Sequence, residues 1–386
     1  MSTGYFAIPK KALEDALKLL DDIPTRNGIT SSEYIKTELI DNKHLKMSLS
    51  SELSGEVIIP VAQKPDFKTV LYLDRRMLKP FITGGVELTT SDIYEFTIAD
   101  KAVTVKHGAR TAFLESNESA SGYEQRPVIQ NGLSIELQET WTAITTCATL
   151  CACTDPIAPA LNCVHLEPSN GKVYIRASDT KLIFQGTIPA SAFPCDTPVA
   201  LPLELVARLS LFSTGLCHYS SKWAMLQFPV GYIWQAVKTE CRKSFPVKAL
   251  HTVTKDVIKN GNVVAVLGTQ SLVEASDRLA SYLQSAMRDN PALALTIKAG
   301  TKKGSISSGT VGAHFNETIL LETKSETDYK VEWPLQAVLP ILIYCKNAGS
   351  AKIIQDASGK SCLKAGRVTL VVSAITKKKN NKKSKE

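Results

Sequence analysis

Three times along this 386-residue chain a short apolar strand runs straight into a short helix, inside a longer sheet-forming segment. The three are TVLYLDRRMLKPFI (Thr69 to Ile82), PVALPLELVARLSLF (Pro198 to Phe212) and YKVEWPLQAVLPILI (Tyr329 to Ile343). Each is followed by residues that alternate apolar and polar, the period-2 pattern of half-buried strands. Three other segments begin with a strand and continue into a longer amphipathic helix. In YFAIPKKALEDALKLLDDI, Leu13, Ala16, Leu17 and Leu20 form one apolar stripe. The second is LSIELQETWTAITTCATLCA. In the third, VVAVLGTQSLVEASDRLASYLQSA, Ser271 and Glu274 have the spacing of a capping box. The two kinds of unit alternate along the chain, and such repetition is a fold-level constraint. Six strand-helix-strands units, paired, predict an α+β chain of three domains at 1–122, 131–247 and 262–376.

The spacers agree with that division. Ser116 to Asn131 (SNESASGYEQRPVIQN) and Ser244 to Asn262 (SFPVKALHTVTKDVIKNGN) read as linkers. Each domain then has the usual size for one core, roughly 115 to 130 residues. From Lys377 the chain is a polar lysine tract, expected to be disordered over 377–386. That tail carries six lysines and one glutamate, so the net charge of +8 falls to +3 for the body. A body this nearly neutral excludes a uniformly basic nucleic-acid binder, and any DNA contact must come from local clusters or the tail.

The most legible local feature is LNCVHLEPSNGKVYIRASDTKLIF, Leu161 to Phe184. Val173, Ile175 and Ala177 fall on one strand face, and Lys172, Tyr174, Arg176 and Ser178 on the other. Asn170-Gly171 reads as the hairpin turn. Nine cysteines, an odd number in a long chain, argue for reduced and mostly buried thiols. Five potential ligands, Cys147, Cys151, Cys153, Cys163 and His165, crowd into nineteen residues. They lack the paired Cys-x-x-Cys spacing of a zinc site, and no metal or cofactor is expected. The longest useful apolar run, Ala337 to Cys345, is nine residues and contains Pro340, too short to span a membrane. The N-terminus has no signal-peptide pattern, and a cytoplasmic location is expected.

No phosphate-cradling Gly-x-x-x-x-Gly-Lys-Ser/Thr, no Gly-x-Ser-x-Gly elbow and no His-Glu-x-x-His occurs, so no enzyme is expected. The arrangement instead resembles the bacterial DNA polymerase sliding clamp, the beta-clamp family. Leu161-Asn162-Cys163 and Ala177-Ser178-Asp179-Thr180-Lys181-Leu182 resemble that family's Leu-Asn-Gly and Ala-Thr-Asp-Gly-His-Arg-Leu, one residue shorter and without the Gly-His-Arg core. Phe245-Pro246 matches a Phe-Pro at its second domain junction, LDRRMLKPF its basic-pair helix, and IIQDASGKS its acidic C-terminal hairpin. The likeness extends over residues 5 to 375. The final Val371-Val372-Ser373-Ala374-Ile375 departs from the family's Met-Pro-Met-Arg-Leu.

The resemblance implies helices lining a ring with sheets outside, closed by two head-to-tail copies around double-stranded DNA. It also implies a DNA polymerase and a clamp-loader ATPase as partners, with no membrane. Lys11, Lys18, Arg26, Arg75, Arg76, Lys79, Arg208 and Arg278 are then candidate phosphate contacts. Leu161, Ser178, Leu182, Pro246, Leu370, Val371 and Ser373 are candidates for a pocket that takes short apolar partner peptides. Phe113, Leu114 and Leu283 are candidate subunit-interface residues. The alternative reading is a clamp-shaped, non-catalytic scaffold that recruits or sequesters replication or repair proteins. DNA retention and polymerase stimulation separate the two.

Overall fold

The computed structural model describes residues 3–24, 30–66, 70–83, 91–99, 102–116, 120–154, 157–283, 292–310, 313–334, 341, 344 and 348–372. In chain order the elements are β1 (Thr3–Pro9), α1 (Lys10–Leu20), α2 (Thr30–Glu33), β2 (Tyr34–Asp41), β3 (His44–Ser50), β4 (Ser54–Pro60), β5 (Gln63–Asp66), β6 (Leu71–Asp74), α3 (Arg75–Thr83), β7 (Ile93–Ala99), β8 (Ala102–His107), β9 (Arg110–Glu115) and β10 (Leu133–Glu136). There follow α4 (Glu139–Thr149), β11 (Cys163–Ser169), β12 (Lys172–Ser178), β13 (Leu182–Pro189), β14 (Val199–Pro202), α5 (Leu203–Val206), β15 (Leu216–Tyr219), β16 (Trp223–Phe228), β17 (Gly231–Ala236), α6 (Thr239–Lys243) and α7 (Val247–Asn260). The last are β18 (Asn262–Gly268), α8 (Thr269–Leu283), β19 (Ala292–Ile297), β20 (Lys303–Thr310), β21 (Ala313–Leu320), β22 (Tyr329–Pro334), β23 (Ser350–Gln355), β24 (Ser361–Ala365) and β25 (Val368–Val372).

The chain forms two compact units, Met1–Gln138 with Ala207–Lys238, and Glu139–Val206 with Thr239–Glu386. Segment 131–247, expected as a middle domain, therefore contributes strands to both. The reason is strand pairing across the expected boundaries. In the first unit β17 pairs with β4, Ile233 opposite Gly55, which joins β10-β15-β16-β17 to β4-β3-β2-β6 as one eight-stranded antiparallel sheet. The approach there is close. A Cβ on Gly231 would lie 2.2 Å from the Glu56 carbonyl oxygen, so only glycine fits. A second sheet, β5-β1-β7-β8-β9, completes the unit. The expected stripe of α1 is buried there, with Leu13, Ala16, Leu17 and Leu20 all inside.

In the second unit β13 pairs with β25, giving another eight-stranded sheet, β14-β11-β12-β13-β25-β24-β23-β18. A four-stranded sheet, β21-β20-β19-β22, accompanies it. The hairpin at Asn170-Gly171 forms as its residues dictate, with φ of 52° and 72° at the two central positions, the left-handed pair that a tight turn of this hand requires. Val173, Ile175 and Ala177 are buried as expected, under α4. Trp141 of that helix packs edge-on to Phe193, ring centroids 4.9 Å apart. Gly186 lets Ile144 approach, since a Cβ there would lie 2.3 Å from its Cγ2.

Three local expectations are corrected. The Ser244–Asn262 segment is not a spacer: Val247–Asn260 is a 14-residue helix burying Leu250, Thr254 and Val257. Their i, i+4, i+7 spacing puts them on one face of the helix, beside Val253 and Ile258. The polar face of β12 is only partly solvated, because Arg176 and Ser178 are buried while Lys172 is exposed. Ser271 does not cap a helix, because α8 already begins at Thr269 and the Ser271 hydroxyl accepts a bond from the Leu320 N–H. The lysine tail, Arg26 and Ser373 lie outside the described residues.

Candidate nucleic-acid interface and partner face

Three expected basic residues of the first unit, Arg75, Lys79 and Arg208, meet at the C-terminal end of α1. That helix ends at Asp21, whose N–H donates to the Leu17 carbonyl at 2.8 Å. Asp21 and Asp22 leave the helix together, and their carboxylates collect cations. Arg75, the first residue of α3, donates from Nε to Asp21 Oδ1 at 3.1 Å and from Nη1 to the Ile23 carbonyl at 2.7 Å. A third bond runs from its Nη2 to the Asp21 carbonyl. Lys79, one turn further along α3, places Nζ 3.0 Å from Asp21 Oδ2. Arg208 lies 2.8 Å from Asp22 Oδ2 through Nε and also donates to the Asp22 carbonyl. Lys18 holds its ammonium 4.6 Å from the centroid of the Phe212 ring, a cation–π contact. Arg76 pairs with Asp74 at 3.2 Å, and Lys11 with Asp15 at 3.5 Å.

These side chains are not equivalent. Arg75 is 7% exposed, so its guanidinium ties α3 to the end of α1. The side chain of Lys79 is 52% exposed and that of Arg76 62%, and both remain within reach of a phosphate. Six basic residues here face four carboxylates. A surface of this kind is close to charge balance and presents no fixed socket. Arg278 belongs to the second unit, where Nε donates to both Glu317 oxygens at 3.1 Å. The sequence reading missed Asp21 and Asp22 as partners. Their one signal was two adjacent carboxylates after an amphipathic helix, which fixes no partner.

Of the expected peptide-pocket residues, Ser178, Leu182, Leu370 and Val371 lie on the eight-stranded sheet of the second unit, but not on one face. Directly opposed residues of antiparallel strands share a face. Leu182 opposes Val372 and Phe184 opposes Leu370, so Leu182 and Leu370 point with Phe184 to the α4 side. Ile183 opposes Val371, Ser178 opposes Ile183, and Arg176 opposes Gln185, on the other side. There α7 lies against the sheet, Val253, Val257 and Ile258 packing with Ile183, Val371, Ile354 and Cys362. Leu161 joins Phe245, Leu250 and Cys241 nearby, and Pro246 precedes the helix. Phe245 stacks on His165 with centroids 4.6 Å apart and planes 4° apart. Burial, and secondarily the Arg176 charge, pull the His165 pKa down to about 4. Arg176 itself is satisfied by Glu167 and by Gln185 Oε1 at 3.2 Å. Leu161, Ser178, Leu182, Leu370 and Val371 are all buried, and α7 packs on the face that carries Ile183 and Val371.

At the sheet ends, β9 and β21 are outermost strands with one ladder partner each among the described residues. Of the expected interface residues, Phe113 on β9 is 71% exposed while its neighbour Leu114 is in the core. The alternation of the strand separates them. Leu283 is the last residue of α8, and its side chain is outside the described set. Cys163 and His165 do not meet Cys147 and Cys151 in a ligand shell. Among the described residues no three His, Cys, Asp or Glu side chains gather in a way that could hold a metal ion. No helix among them is long and apolar enough to cross a membrane.

Two units of large antiparallel sheets with helices packed on them define an α+β protein. No family model and no curated protein sequence matches the chain. Solved structures do match it over nearly their whole length. The chain is similar to the DNA polymerase sliding clamp from Bacillus subtilis, with a TM-score of 0.70 at 14% identity, over 97% of this chain and 99% of that one. It is similar to the DNA polymerase III beta subunit from Thermotoga maritima, with a TM-score of 0.70 at 11% identity, over 96% and 99%. The beta subunit from Streptococcus pyogenes gives 0.68 at 17% identity, over 96% and 99%. The fold is that of the DNA polymerase III beta sliding clamps, in a strongly diverged sequence.

Proposed function

We propose that this chain is a non-catalytic DNA sliding clamp, a processivity factor that encircles duplex DNA and tethers a DNA polymerase. The observation that carries this reading is the end-to-end correspondence with beta sliding clamps, over 97% of this chain and 99% of the Bacillus subtilis clamp. Three repeats at 1–122, 131–247 and 262–376 are the matching domain division. Two copies close head to tail, with β9 of one extending the sheet that ends at β21 of the next. Phe113 is covered by that contact. Helices face the hole, and Lys11, Lys18, Arg76, Lys79, Arg208 and Arg278, with Arg26 and the lysine tail, touch phosphates. Arg75 positions the others. A clamp-loader ATPase opens the ring, in the cytoplasm.

Topology is the decisive property, because a ring holds DNA without tight contacts. Protein loaded on a nicked circular duplex should survive gel filtration in high salt, and a single cut in the circle should release it. Equal loss from intact and cut circles would remove the clamp reading.

One observation favours a second reading. Helix α7 packs over Ile183 and Val371, on the side of the sheet where Ser178 and Pro246 were expected to receive polymerase peptides. A clamp-shaped scaffold with different partners accounts for that cover. Polymerase stimulation by the loaded ring separates it from the first reading.

A further inference from the structure

Asp21 and Asp22 each pair with a basic side chain at the end of α1. Each carboxylate holds a cation of the proposed DNA surface: Asp21 Oδ2 is 3.0 Å from Lys79 Nζ, and Asp22 Oδ2 is 2.8 Å from Arg208 Nε. These are the distances of charge-assisted bonds, and phosphate oxygens make the same kind with the same donors. We propose that the Asp21–Asp22 pair is a resident phosphate mimic, which occupies the cations of α3 and of segment 207–238 until a duplex phosphate displaces it.

The physical consequence is lower friction. A cation engaged with a carboxylate must exchange partners to bind a phosphate. Its net gain is then small, and fewer counterions are released per contact. Asp22 suits the role better than Asp21. Its side chain is 40% exposed and that of its partner Arg208 14%, so the carboxylate is the outer member of the pair. Asp21 also anchors the buried Arg75, so its removal would disturb the packing of α3. The inference rests on the clamp reading for the identity of the polyanion, and on the geometry alone for the competition.

The test is equilibrium binding of a short labelled linear duplex by the full chain across a salt series, for the wild type, Asp22→Asn and Asp22→Glu, with melting curves of each. Asp22→Asn should bind roughly five- to tenfold tighter at low salt, and the slope of log K against log salt should steepen by about 0.9, one added phosphate contact. Asp22→Glu keeps the charge and should keep the wild-type affinity and slope. A role in folding alone would not produce that slope change or that rescue. If the asparagine variant does not fold, Asp22→Ser replaces it with the same expectation. Wild-type binding with an unchanged or weaker Asp22→Asn variant overturns this inference and leaves the clamp reading standing. Absence of binding by the wild type and the variant alike also overturns this inference, whereas the clamp reading falls only if loss from intact and cut circles is equal.

Discussion

Ile183 and Val371 oppose one another across the β13–β25 ladder, and both pack with Val257 of α7 in one buried cluster. The first strand and the helix come from the middle of the chain and the second strand from its end. Their contact therefore makes α7 part of the fold of the second unit. Val257→Asp should destabilise that unit by at least about 3 kcal/mol, because a carboxylate would be buried without a partner. Val371→Ala should cost about 1–3 kcal/mol through lost apolar contact and the space left behind. Urea unfolding measures both, and wild-type midpoints in the two variants would show that α7 is not packed there.

Arg75 and Arg76 are adjacent in sequence and opposite in role. Removing Arg75 leaves the Asp21 carboxylate with Lys79 alone and takes a donor from the Ile23 carbonyl. Arg75→Ala should cost about 2–4 kcal/mol of stability. Arg76→Ala removes an exposed pair and should cost less than about 1 kcal/mol, while weakening duplex binding. Calorimetry on the two variants would expose any reversal of that order.

His165 should make the second unit acid-sensitive. Its folded pKa, about 4, lies below its value of about 6.5 in an unfolded chain. The unfolded state therefore binds the proton more readily between those values. The stability from keeping this ring neutral is complete above about pH 6.5 and is lost as pH falls toward 4, by about 3 kcal/mol in all. His165→Phe should flatten that part of the stability profile. An unchanged slope between pH 6.5 and 4 would place the acid sensitivity elsewhere.

Thr180 sits at φ 77°, a left-handed conformation that costs a β-branched residue about 1–2 kcal/mol. The turn is held by Asp179 Oδ1, which accepts the N–H groups of Lys181 and Leu182 at 2.9 and 2.6 Å. Thr180→Gly keeps those bonds and should stabilise the protein by about 0.5–1 kcal/mol. A lower melting temperature in the glycine variant would show that the threonine side chain contributes contacts of its own.

Burial pushes the thiols of Cys217 and Cys362 up to about 12. Thiolate is the reactive form, so neither should be alkylated in the native protein near neutral pH. Both should react once it is unfolded. Mass mapping of native alkylation decides this, and early modification of either would mean that the sheet carrying it opens locally.

Features set by neighbours along the chain were legible in the sequence. Asn170-Gly171 makes its turn because both residues tolerate positive φ. Leu13, Ala16, Leu17 and Leu20 make a helix face because their spacing is the helical period. The strand-helix alternation that pointed to the clamp fold is also local, and so it persists in a sequence only 11–17% identical to the matched clamps. The tertiary structure decided everything that depends on a distant partner. Arg75 looked like Arg76 until the end of α1 was brought to it. Leu182 and Val371 looked like one pocket until strand register put them on opposite faces of a sheet. Segment 247–260 looked like a spacer, because its apolar residues are interspersed with lysines, threonines and a histidine and only the sheet they cover selects their face. Periodicity fixes which residues share a face of one element, but only packing chooses what that face meets, because burial has no direction of its own.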